Sequence, residues 1–123
     1  MKKLLFSAAI LFATPAMADM SDTEIRDLVL TVDLEKLGEH YVELLRDDFE
    51  CSYSINDRPA LLDFADKINT IIFDMVDLPE DYRDRQFAQG TASGQDNEAY
   101  FILKKAGVVA FEADTKTIYL TDC

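Results

Sequence analysis

Histidine is nearly absent from this chain, with His40 alone among 123 residues. Any Ser-His-Asp or Cys-His nucleophilic set would have to use it. Its neighbours Lys36, Glu39 and Glu43 are those of a solvated helix face, not of a poised base. Basic side chains are also scarce, 12 against 24 acids. A field of that sign repels phosphate backbones and anionic headgroups, which argues against nucleic acid and membrane surfaces as ligands. Cysteine occurs twice, at Cys51 and Cys123, and without C-x-x-C spacing a redox pair is not indicated. Gly90 and Gly94 lack the following Lys-Ser/Thr of a phosphate loop, and Ser93 lacks the G-x-S-x-G context of a nucleophile elbow. Both glycines and Ser93 read most simply as turn residues.

What is present begins at the N-terminus. Lys2 and Lys3 precede an apolar run at residues 4–13, followed by Thr14, Pro15, Ala16, Met17 and Ala18. Small side chains at Ala16 and Ala18 fit the A-x-A pattern of a signal peptidase site, so residues 1–18 are expected to be a cleaved export signal and the mature chain to start at Asp19. The run is too short to span a bilayer comfortably, and no cysteine follows it to take a lipid anchor. The expected product is periplasmic or secreted, with no membrane insertion after cleavage.

Residues 19–123 suffice for one domain with its own core. They carry 10 basic and 24 acidic side chains, a net charge of −14. This acidity serves solubility, and it also draws basic partners or divalent cations at rates that salt should reduce. An even cysteine count in an exported protein predicts a Cys51–Cys123 disulfide, which the chain-entropy account values at about 4 kcal/mol. With both thiols committed and one imidazole available, zinc is disfavoured and no cofactor is expected.

The helical signals are regular. Ser21 and Glu24 make a capping-box pattern ahead of Ile25, Leu28, Val29 and Val32. Asp33 can cap a second stretch, in which Leu34, Leu37, Tyr41, Leu44 and Leu45 form an apolar stripe and Glu35, Glu39, Glu43 and Asp47 fall largely outside it. One bent helix or two would satisfy that pattern. Cys51, Tyr53 and Ile55 then alternate with Ser52 and Ser54, the period of a short half-buried strand. Asn56 or Asp57, with Pro59 behind it, predicts the start of a long helix. Its stripe of Leu61, Phe64, Ala65, Ile68, Ile71, Ile72, Met75 and Val76 should centre the core, and Pro79 should end it. Glu80 and Asp81 suit the start of a short helix carrying Tyr82 and Phe87, after which residues 90–94 read as a turn-rich, mobile loop. Asp96 or Asn97 would cap a further helix through Tyr100, Phe101, Ile102, Leu103 and Lys105, stopped by Gly107.

Residues 108–112 and 117–121 are rich in β-branched and aromatic side chains, and Ala113, Asp114, Thr115 and Lys116 between them predict a hairpin. Ile118 and Leu120 should share one face of the last strand. The fold class predicted is α+β: a mostly helical single domain with a C-terminal hairpin and room for a third short strand at residues 51–55. This order of elements resembles the topology of a winged-helix domain over about half of the mature chain. The resemblance implies that the early strand pairs antiparallel with the last one, which would bring Cys51 beside Cys123. It carries no implication of DNA binding, because residues 96–106 hold only Lys104 and Lys105 as bases.

No set of side chains forms a recognised catalytic motif. The acidic clusters Asp47, Asp48, Glu50 and Asp96, Asn97, Glu98 lack the D-x-D-x-D-G spacing with a distal Glu of a calcium loop. The leading expectation is therefore a small exported non-enzymatic protein that binds another envelope or extracellular protein as an inhibitor or accessory subunit. Its partner should be basic, steered by Glu39, Glu43, Asp47 and Asp48 and contacted by Tyr53, Tyr82 and Phe87. The alternative is a carboxylate-based hydrolase acting on envelope polysaccharide, in which one acid is held protonated by an apolar pocket.

Overall fold

Capping side chains start the first three helices where the sequence places them. In the computed structural model, which describes residues 19–123, Glu24 N–H donates to Ser21 Oγ at 3.1 Å and Ser21 N–H to Glu24 Oε1 at 2.8 Å, opening α1 (Asp22–Val29). The expected export signal, residues 1–18, lies outside the described residues. Asp33 Oδ1 accepts from the backbone of Glu35 and Lys36 to open α2 (Leu34–Asp48), so the two N-terminal stretches are two helices. Asp57 accepts from Ala60 N–H at the start of α3 (Arg58–Met75), with Pro59 in the first turn, where its missing donor costs nothing.

The chain leaves α3 through Asp77 in the left-handed region (φ 57°), buries Leu78, and makes a single 3-10 turn at Glu80–Tyr82. One expectation fails beyond this point. A single helix, α4 (Gln86–Lys105), runs through Phe87, the supposed loop at residues 90–94 and the supposed cap at Asp96. Its inner face explains why: Ala88, Ala92, Gln95 and Ala99 recur at helical spacing and are all buried, which lets α4 lie close against α1, α2 and α3. Gly90 and Gly94 face open space on the outside, so their cost in helix propensity is outweighed by packing on the opposite side. Gly107 stops the helix at φ +79°, as its position predicts.

The remaining chain forms β2 (Val109–Glu112) and β3 (Thr117–Leu120), joined by the expected four-residue turn. With β1 (Ser52–Ser54) they make an antiparallel sheet in the order β1-β3-β2, in which Tyr53 and Phe111 both face Ile118 across the ladder. This is the pairing the winged-helix resemblance implied. Leu120 N–H donates to Cys51 O at 2.9 Å, and the Cys51–Cys123 disulfide closes just beyond, its Cα atoms 6.2 Å apart.

The core lies between the helices and the inner face of this sheet. Phe64, Ile68 and Ile72 of α3 are fully buried as expected, and Ile118 and Leu120 supply the sheet side. Phe73 and Asn69 are buried too, whereas Leu61, Ala65, Ile71, Met75 and Val76 are only partly covered. Asn69 donates to Gln89 Oε1 at 3.0 Å, and Gln89 donates to Arg83 O at 2.7 Å, tying α3 to the start of α4.

Candidate functional site

Two concavities share α2 and the C-terminal half of α4. The first is a cleft of about 330 Å³ lined by Tyr41 of α2, Tyr53 of β1 and Ile55 beyond it, Leu61 of α3, Asp96, Asn97, Tyr100 and Phe101 of α4, and Phe111 and Ile118 of the sheet. Phe64 fixes the two innermost tyrosines. Tyr41 meets its ring edge-on and Tyr53 stacks on it, each with centroids 4.8 Å apart. Asp96 and Tyr100 stand four residues apart, so the continuous helix presents both on one face.

The electrostatics of the cleft follow from this burial. Desolvation pushes the Asp96 carboxyl up to about 6. Among the described residues no lysine, arginine or histidine lines the cleft, and Lys104 approaches it with its Nζ 5.9 Å from the Tyr100 ring centroid. Burial also pushes the Tyr41 and Tyr53 phenols far above the ordinary tyrosine range, with the nearby Asp96 charge adding to the effect, and Tyr100 shifts the same way. Three neutral phenols and one partnerless carboxyl therefore face a common space. Among the described residues Asp96 is the sole acid in the lining, so none of them supplies the second carboxylate that glycoside hydrolysis would need in this cleft.

The second concavity is a groove of about 520 Å³ between α2 and α4. Glu35, Glu39 and Glu43 follow one another at four-residue spacing along its α2 edge, while Val42, Leu103 and Val108 supply apolar floor. Ile102 is 48% exposed at its α4 edge. Arg46, at the same groove, lies 3.7 Å from Asp122, and Glu43 lies 3.5 Å from His40 Nδ1.

The sequence-predicted residues divide between these places. Glu39 and Glu43 line the groove and Tyr53 lines the cleft. Asp47 is exposed on α2, and Asp48 is held 3.5 Å from Lys67 Nζ, a lysine also shared with Asp63 at 3.2 Å. Tyr82 and Phe87 line neither. Tyr82 accepts a hydrogen bond from Met20 N–H at 3.2 Å and carries the Arg85 guanidinium 4.8 Å above its ring, which anchors the segment before α1. Phe87 is 42% exposed and lines an open depression of about 600 Å³ with Asp22, Arg85 and Thr91. Sequence reasoning missed Tyr41, Tyr100 and Asp96 as site residues, having read Asp96 as a helix cap. The available signal was the four-three-four spacing of Ala88, Ala92, Gln95 and Ala99, which marks an unbroken helix with Asp96 inside it.

Among the described residues no three histidine, cysteine, aspartate or glutamate side chains gather to hold a metal ion, and no helix is long and apolar enough to cross a membrane. The chain matches no family model, no curated protein and no solved structure.

Proposed function

We propose that this protein is an exported, non-enzymatic binding domain that docks a basic envelope or extracellular protein across α2 and α4, as an inhibitor or accessory subunit. The observation that carries the reading is the groove itself. Three glutamates border an apolar floor of Val42, Leu103 and Val108, and among the described residues Arg46 is the one lysine or arginine in its lining. An amphipathic basic segment meets both demands, with its apolar side chains on the floor and its charges at the glutamate edge. The export signal expected at residues 1–18 and the disulfide support a location outside the cytoplasm.

The test compares residues 19–123 with a variant carrying Glu35→Gln, Glu39→Gln and Glu43→Gln, each as bait in an envelope extract at low and raised salt. The expected result is one recurrent basic protein on the wild-type bait, diminished by salt and by the three substitutions. Equal capture by both baits at both salts would remove the groove from the account.

A further inference from the structure

The aromatic cleft has no role in the groove-docking reading, yet it is the place where the fold concentrates chemistry. Five aromatic side chains and one carboxyl surround about 330 Å³, and the carboxyl carries a desolvation cost from its burial there. Aromatic faces carry negative electrostatic potential, so rings and carboxylate act in the same direction on a bound charge. An anion would find phenolic donors here but is repelled by the ionised Asp96 and by the ring faces. A hard metal ion would find one carboxylate and the Asn97 amide, too few fixed oxygens to replace its hydration shell. A weakly hydrated organic cation satisfies the cleft, since its charge can face Asp96 while its C–H surface lies against Tyr41, Tyr53 and Tyr100.

We propose that this cleft binds an organic cation, an ammonium or guanidinium group on a narrow apolar stem, with Asp96 as its counter-ion and the three tyrosines as its cage. The exposed ring of Phe101, 59% accessible at the rim, provides an entry surface for the stem. Two sources share this chemistry: a lysine or arginine side chain of a protein partner, and a free quaternary ammonium compound. Binding by a small cation needs no partner protein, so the cleft and the groove can fail independently.

Binding should also depend on pH through one group. The titratable side chains lining the cleft are Asp96 and Tyr100 from α4, Tyr41 from α2 and Tyr53 from β1; α3 and the hairpin contribute Leu61, Phe111 and Ile118, which do not titrate. Lys104 of α4 stands outside the lining with its Nζ 5.9 Å from the Tyr100 ring centroid. The phenols remain neutral across the acid and neutral range, leaving Asp96, whose carboxyl titrates near 6. Affinity should therefore fall about tenfold from pH 7 to pH 5, in proportion to the ionised fraction.

The chain contains no tryptophan and three of its five tyrosines line the cleft, so intrinsic tyrosine emission reports occupancy directly. Wild-type residues 19–123 and the Asp96→Asn variant are titrated with tetramethylammonium, choline, N-acetyl-lysine methylamide and N-acetyl-arginine methylamide. The neutral choline analogue 3,3-dimethylbutan-1-ol is the control. The expected result is saturable binding of at least one cation with a Kd of about 1 mM or tighter. It should weaken at least tenfold in Asp96→Asn and at pH 5, with little response to the neutral analogue. Preference for the amino-acid amides assigns the site to a partner's side chain, and preference for choline or tetramethylammonium assigns it to a free ligand. Absence of binding by all four cations, equal binding of the neutral analogue, or an unchanged Kd in Asp96→Asn overturns the proposal. Urea unfolding of the variant confirms that the fold is retained.

Discussion

Replacing Asp96 by asparagine should make the protein more stable, and the gain should appear only as pH rises. The carboxyl titrates near 6 in the folded protein against an ordinary value of 3.8, with burial as the cause. Between those values the folded chain binds more protons than the unfolded one, so this group makes stability fall as pH rises. A shift of about two units corresponds to about 3 kcal/mol once both states are ionised. Asparagine keeps the shape and removes the ionisation. Asp96→Asn should therefore exceed wild type by about 2 to 3 kcal/mol at pH 7.5, or roughly 10 °C in Tm, and by only about 0.5 kcal/mol at pH 4. The assay is urea unfolding of both proteins at the two pH values with the disulfide intact, followed by tyrosine emission and circular dichroism. All other acids are common to both chains, so their titration cancels in the difference. A difference independent of pH, or a variant less stable at pH 7.5, would refute the burial of an unpaired carboxyl. Stability lost at a position lining a cavity is what a ligand site is expected to show.

Four further variants test the frame around the site. Gly90→Ala and Gly94→Ala sit on the open outer face of α4 and should each stabilise by roughly 0.5–1 kcal/mol, which a flexible loop would not do. Gly107→Ala, at φ +79°, should destabilise by about 1 kcal/mol, and thermal unfolding of the three glycine variants beside wild type reads all of these changes. Replacing Cys51 and Cys123 together by serine should cost about 4 kcal/mol in urea unfolding, since the bridge closes a sequence separation of 72 residues. A loss below about 1 kcal/mol would mean that the β1–β3 pairing holds the unfolded chain together without the clip.

The caps, the hairpin and the disulfide were legible in the sequence because each depends on local chemistry. Ser21, Asp33 and Asp57 accept from backbone amides within three residues, and the four residues between β2 and β3 admit little other than a turn. Pairing of β1 with β3 was legible through the order of elements that resembles a winged-helix domain, with the expected Cys51–Cys123 bridge as an independent check. The region around residues 86–96 was not, because its glycines, serine and threonine carry weak helix propensity and the determining interaction is tertiary. Ala88, Ala92 and Ala99 have side chains small enough for α1, α2 and α3 to approach α4, and nothing local announces that approach. Losing the helix also lost the site, since Asp96 and Tyr100 share a face only when α4 is continuous. Helical spacing puts Glu39 and Glu43 on one face of α2, where both border the groove, whereas Tyr82 and Phe87 line neither the groove nor the cleft. Tyr82 proves to be an anchor for Met20.

The most direct test of the account is amide hydrogen exchange on residues 19–123, free and in complex with the basic partner retained by the wild-type bait. New protection is expected along α2 between Leu34 and Arg46 and along α4 at Ile102 and Leu103, the residues that border the groove. Protection centred instead on Arg85, Phe87 and Thr91, with α2 unchanged, would contradict it and move the interface to the opposite end of α4.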